Sequence, residues 1–356
     1  MAKRYSFILI FTLLIHISGK AQRNNLFFDL TGGSGRLVPH HPELRHLAGS
    51  VAFFNLRLGL KTLGQKEWQR VYDYPEIGIG LSRNYLTSKS LGNPIAIYSF
   101  MNLPLFPSSK FKINLGMHLG LAWGFNHWSE QNQENIAIGS YCSAYAALNL
   151  NTTVRIRENF DLLLSAGVYH YSNGNLNKPN KGINLLGAET GLRYSLPKTG
   201  TELNTEPIAP IVKSSSVMAF GAWASKKEAT HSSRYSAGTL SAGYYHTINH
   251  KSRISAGIDL FYDEGVLYYT QKENKLKNVL ASGLFGGHEV TFSKLSIVTQ
   301  IGIYIRNPNS NDPFYYERIG LRYVLAKGII PSISIKAHEF KVDFIEWGIG
   351  FILWKT

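Results

Sequence analysis

Disulfide bonding can be set aside first. The 356-residue chain holds one cysteine, Cys142, which excludes an internal disulfide framework. Cys142 falls on the apolar face of an alternating segment and reads as a small packing residue. Charge is scarce, with Asp, Glu, Lys and Arg making only 17% of residues. Beyond residue 21 no continuous apolar run approaches about twenty residues, so no membrane-crossing helix is expected. A phosphate-cradling glycine loop, a dinucleotide fingerprint and an HExxH zinc motif are all missing, and no metal or cofactor is expected. Acid is short as well: 23 acidic residues face 37 basic ones, a formal charge of +14.

What the chain does have is aromatic residues and glycine: 20 Tyr, 19 Phe and 33 Gly. These recur in short segments that alternate apolar and polar residues. That pattern favours a β-barrel over an α/β enzyme, and a mean hydropathy near zero fits a barrel, in which only every second residue meets lipid. Residues 1–21 combine Lys3 and Arg4, a short apolar stretch from Phe7 to Ile17, and Gly19-x-Ala21. They read as a secretory signal peptide. Three of the 37 basic residues and none of the 23 acidic ones fall there, so an excess of +11 remains. An exported barrel does not meet nucleic acid, so anionic lipid headgroups are the expected partner, beside the plainer reading of a solubilising surface.

Strands are expected at 26–33, 48–61, 75–86, 94–106, 110–126, 140–156, 160–172 and 183–196. The pattern is cleanest from 110 to 126, with Phe111, Ile113, Leu115, Met117, Leu119, Leu121, Trp123 and Phe125 on one face. A Pro/Thr-rich linker, 197–213, separates these from a second set at 217–225, 235–248, 253–263, 279–290, 295–306, 316–326, 330–336 and 342–354. The total is about sixteen strands in an all-β transmembrane antiparallel barrel of the outer membrane. The short linker favours one wide barrel over the alternative, an eight-stranded barrel in 22–196 followed by a second set of strands in 214–356. Tight turns at 107–109, 157–159 and 249–251 would lie on the periplasmic side, and the longer loops 128–139 and 174–182 outside.

The segment 160–196 bears the chemistry. Phe160, Leu162, Leu164, Ala166 and Val168 share a greasy face that ends in His170 and Ser172. Antiparallel return places Asn184 back near both. Ten residues at about 3.3 Å each, tilted near 40°, climb about 25 Å, the height of the apolar band, which sets His170 and Ser172 at the outer interface. Two residues apart on one strand, they project to the same side. The run HYSNGNLNKPNKGIN, His170 to Asn184, resembles the catalytic hairpin of the outer-membrane lipid A 3-O-deacylases, the PagL family. The resemblance extends over 26–196 and not beyond.

That resemblance implies an eight-stranded barrel with a His-Ser-Glu triad on its lipid-facing wall, removing an ester-linked acyl chain from lipid A of lipopolysaccharide. His170 matches the base, Ser172 the nucleophile, Asn173 the asparagine after the serine, and Asn180 that of the loop's Pro-Asn. Where the family carries glutamate, this chain has Asn184. An asparagine carbonyl can orient a histidine, as in Cys-His-Asn hydrolases, but adds no full charge to the imidazolium. Asn173 could supply an oxyanion donor. Lys178 and Lys181 could meet lipid A phosphates or be ordinary solvated loop lysines. Glu189, the nearest acid, lies on the opposite face. The competing reading is a non-catalytic barrel, pore or scaffold, with a degenerate hairpin. His338, Glu339, Asp343 and Glu346, and His231-Ser232, lack any such context and read as barrel-lining or loop residues.

Overall fold

The computed structural model describes residues 25–106, 112–197 and 202–356. The expected signal peptide and the 107–109 turn lie outside them. Sixteen antiparallel strands form, but they close into two barrels, β1–β8 and β9–β16, and the expectation of one wide barrel is corrected in favour of eight plus eight. The first comprises β1 (Leu26–Leu37), β2 (Ser50–Lys61), β3 (Glu76–Leu86), β4 (Gly92–Pro104), β5 (Ile113–Phe125), β6 (Cys142–Arg157), β7 (Phe160–Ser172) and β8 (Ile183–Ser195). The second comprises β9 (Ser215–Lys227), β10 (Arg234–Asn249), β11 (Ser252–Asp263), β12 (Leu280–Phe292), β13 (Leu295–Arg306), β14 (Tyr315–Tyr323), β15 (Ile329–His338) and β16 (Lys341–Lys355). β8 returns to β1 with Leu30 opposite Leu192, and β16 returns to β9 with Gly348 opposite Ala222.

Closure at eight follows from what points inward. Eight strands leave an interior that side chains fill, whereas sixteen leave an aqueous channel. The first lumen is packed with Phe27, Phe53, Tyr98, Tyr145, Tyr169 and Tyr171. Ion pairs cross it: Arg57 to Glu189 at 2.7 Å, and Arg193 to Asp29 and Glu76 at 2.7 and 2.6 Å. In the second lumen Arg318 bridges Asp259 and Glu346, Arg322 meets Glu289, and Lys226 and Lys336 converge on Asp343. Buried side chains thus occupy the interior of both barrels. Asp343 and Glu346 line the second lumen, as expected, and the described residues hold no group of ligating side chains suited to a metal.

The outward faces follow the alternation: Leu30, Leu56, Leu148, Val168, Leu186 and Leu192 are exposed, as a lipid-facing wall requires. Phe125 departs from it. Expected outward, it is buried beside Tyr171 at 5.6 Å, where the β4–β5 ladder shifts register between Gly92 and Ile95. Cys142 is exposed and free at the start of β6 rather than packed.

The connection between β2 and β3, on the same end as the short turns, is long and carries a helix, α1 (Glu67–Val71). Its purpose is lateral. Tyr72, just after α1, stacks on Phe292 of the second barrel at 4.4 Å and donates from its hydroxyl to Thr291 O at 3.0 Å. Trp68, Met101, Leu103 and Met117 of the first barrel pack with Val290, Leu295 and Ile297 of the second in the same cluster. At that end the linker is also tied down, with Asn204 N donating to Leu63 O at 2.8 Å and Tyr74 donating to Asn204 O at 3.1 Å.

Candidate active site

β7 and β8 are a hairpin whose register places His170 directly opposite Asn184 and Tyr171 opposite Ile183. The expected juxtaposition therefore exists. Asn184 Oδ1 accepts from His170 Nδ1 at 2.6 Å, which fixes the proton on Nδ1 and leaves Nε2 as the basic nitrogen. Gly182, at φ +75°, passes so close over the imidazole that a Cβ there would stand 3.0 Å from His170 Cε1. The outward neighbours across β6 are small: Ala146 lies opposite His170 and Ala144 opposite Ser172. These alanines leave room on the wall beside the two polar side chains.

Ser172 shares the outward parity but is only 8% exposed, so it is more sheltered than a side chain open to lipid. Among the described residues no hydrogen bond joins it to His170. The loop that follows folds over this end and is held from three sides. Asn173 N donates to Asn180 Oδ1 at 2.9 Å, and Asn173 Nδ2 to Ser140 Oγ at 3.0 Å. Gly182 N donates to Ala137 O at 2.9 Å, tying the loop to the 126–141 connection. From the second barrel, Lys227 N donates to Asn175 O at 3.0 Å, Arg234 to Asn177 Oδ1 at 2.8 Å, and Asn175 Nδ2 bonds the carbonyls of Val342 and Asp343.

Lys178 and Lys181 are both half-buried. Burial lowers the Lys178 ammonium below its ordinary value, with Glu228 of the second barrel opposing the shift. Lys181 pairs with Glu43 at 3.3 Å. The Glu43 carboxyl is held below its usual range, first by a hydrogen bond to its own backbone and then by Lys181. Glu189 points into the lumen, as the alternation requires, and takes hydrogen bonds from Arg57, Thr31, Asn55 and Tyr169.

Sequence reasoning missed His40. It lies in the β1–β2 loop, 144 positions from Asn184, and its Nδ1 accepts from Asn184 Nδ2 at 3.0 Å. The pair His40-His41 beside a 3-10 turn at Pro42–Leu47 was its only trace in the sequence.

Closed antiparallel barrels with an outward apolar band and short turns at one end define the outer-membrane β-barrel class. Within that class, residues 52–193 match the model of lipid A 3-O-deacylase (PagL), and residues 213–355 match that of the acyloxyacyl hydrolase C-terminal domain. Together the two cover most of the chain, and the protein belongs to this lipid A deacylase family of ester hydrolases. The resemblance therefore does not stop at residue 196, as the sequence suggested, because the second barrel has a family model of its own. No curated protein sequence matches. Among solved structures, two mutants of Rh. blastica porin are 11% and 12% identical over 92% of this chain and 99% of theirs, each at a TM-score of 0.19. CdiB from Escherichia coli is 10% identical over 92% of this chain and 63% of its own, at 0.21. Likenesses this slight carry no argument.

Proposed function

We propose that the protein removes an ester-linked fatty acyl chain from lipid A, using Ser172 as nucleophile, His170 as base and Asn184 as the group that orients the base. The observation that carries this reading is the 2.6 Å contact between His170 Nδ1 and Asn184 Oδ1 on the outward face of the first barrel. With Nδ1 committed to Asn184, Nε2 takes the Ser172 proton as Oγ attacks the ester carbonyl. The same nitrogen returns that proton to the departing sugar hydroxyl. Water then attacks the acyl-serine, passing its proton to His170, and releases the fatty acid and free Ser172. Asn173 and Asn180, bonded to each other in the loop that follows Ser172, are the residues we assign to the oxyanion. Lys178 and Lys181 are the cations we assign to the lipid A phosphates. No metal or cofactor enters these steps. Exported by its signal peptide, residues 1–21, the chain would present the site to the outer leaflet. Residues 22–196 would form the catalytic unit, 197–213 a periplasmic linker and 214–356 the second barrel.

The shelter of Ser172 and its lack of a bond to His170 favour the second reading, a non-catalytic scaffold. Mass spectrometry of lipid A from cells producing the wild-type chain or Ser172→Ala decides between them. Loss of one acyl chain with the wild type and an intact profile with the variant is expected. An intact profile with well-expressed wild type would establish the scaffold, and deacylation by the variant would mean that another residue attacks the ester.

A further inference from the structure

We propose that His40 is a positioning residue for this site: its Nδ1 selects the orientation of the Asn184 amide and so turns Oδ1 toward His170. The inference rests on the reading of Ser172 and His170 as nucleophile and base. A carboxylate at position 184 would need no such partner, because both its oxygens accept. An amide has one accepting end and one donating end. Turned over, Asn184 would set its N–H against the N–H of His170 Nδ1, and the imidazole would lose its anchor. Something must distinguish the two ends, and the only second partner of the amide among the described residues is His40 Nδ1, at 3.0 Å from Asn184 Nδ2.

The backbone holds His40 in place for this. Val38 N donates to the carbonyl of Asn184 itself at 2.9 Å, so the loop is stitched to the residue whose side chain it reads. Pro42 then opens the 3-10 turn that buries Leu44 and Leu47. His40 can accept only when Nδ1 is unprotonated. His40 itself is exposed, and its hold on the amide is the single contact at Asn184 Nδ2. The charged and titratable groups around this loop are His41, whose ring centroid is 4.6 Å away, Glu43, Lys181, Lys341 at the start of β16, and His170 on β7.

The test is deacylation of purified lipid A in detergent across about pH 5–8, the imidazole range. The proteins compared are wild type, His40→Ala, His40→Gln, Asn184→Glu, the His40→Ala/Asn184→Glu double variant and Ser172→Ala, with folding followed by heat-modifiable migration. His40→Ala should lower kcat about tenfold with KM unchanged, the kinetic worth of one hydrogen bond. His40→Gln should restore most of the rate, since its side-chain carbonyl can accept the same hydrogen bond. In the Asn184→Glu background, His40→Ala should cost less than about threefold, because a carboxylate needs no selector. A wild-type rate in His40→Ala overturns the proposal, as does an equal loss in both backgrounds. Activity in Ser172→Ala instead overturns the nucleophile reading beneath it, whatever His40 does.

Discussion

Removing the charge from Glu189 separates two roles that a carboxylate beside the site could have. Its Oε2 accepts from Arg57 Nη2 at 2.7 Å, Thr31 Oγ1 at 2.7 Å and Asn55 Nδ2 at 3.0 Å, while Oε1 accepts from the Tyr169 hydroxyl at 2.6 Å. In Glu189→Gln the amide oxygen can serve the three donors, and Nε2 can face the Tyr169 hydroxyl, which rotates to accept. What is lost is the counter-charge of Arg57, which is buried and otherwise donates to the Tyr98 hydroxyl at 3.1 Å. Leaving a buried charge uncompensated costs about 3–5 kcal/mol. Glu189→Ala adds orphaned donors at about 1–3 kcal/mol each and should not fold. Against an ordinary margin of about 5–15 kcal/mol, Glu189→Gln should fold with a much lower urea midpoint, read from heat-modifiable migration. Its deacylation rate per folded molecule should match wild type, because the carboxylate lies across the sheet from His170. A well-folded but inactive Gln variant would refute this and bring Glu189 into the chemistry. An unchanged midpoint would show that the Arg57 pair does not sustain the lumen.

Two further outcomes are expected. Asn184→Ala should lower turnover strongly, whereas Asn184→Glu should keep or raise it, because a carboxylate adds about 1.5–3 kcal/mol of charge-assisted bonding to the imidazolium. The Glu variant should also lose activity on acidification through its own carboxyl, and wild-type activity in the Ala variant would remove Asn184 from the site. Gly174→Ala meets both a left-handed backbone, φ +62°, and Ile345 of β16, whose Cδ1 would stand 2.1 Å from the new Cβ. It should cost at least about 1–2 kcal/mol in thermal stability and lower deacylation by lifting the loop off the second barrel, and an unchanged rate would show that this docking does not matter to the site.

The strands and the site were legible to different depths because they depend on different distances along the chain. Alternation is local, so β7, β8 and the meeting of His170 with Asn184 could be read from residues 160–196 alone. Closure is not local. The pairing of β1 with β8 joins residues such as Leu30 and Leu192, and the outward pattern is the same whether eight strands close or sixteen. The clue lay in the inward positions. Tyr169, Tyr171 and Arg57 are large enough to fill the interior of an eight-stranded barrel. His40 was illegible for a related reason, since only closure of β1 onto β8 brings it to Asn184. The shelter of Ser172 depends on how loop 173–182 folds back, which its turn-forming residues signal without giving its direction.

The second barrel bears on the site without repeating it. Its seventh strand, β15, also ends in a histidine, but His338 turns inward, where Nε2 meets the Tyr304 hydroxyl at 2.7 Å and Nδ1 stands 3.9 Å from Asp343. A histidine enclosed by Lys336, Tyr304 and Asp343 cannot reach an ester in lipid. Ion pairs cross the interior of the same barrel. What remains is its surface at the loop end, where Asn175, Asn177 and Gly174 of the first barrel are held by Lys227, Arg234, Val342, Asp343 and Ile345. A β-hairpin loop alone has few contacts with which to resist the entropy of its open states. Here it lies against a rigid wall that is itself fixed at the opposite end by Tyr72 on Phe292. The two barrels are therefore in contact at both ends, through Tyr72 and Phe292 at one and through loop 173–182 at the other.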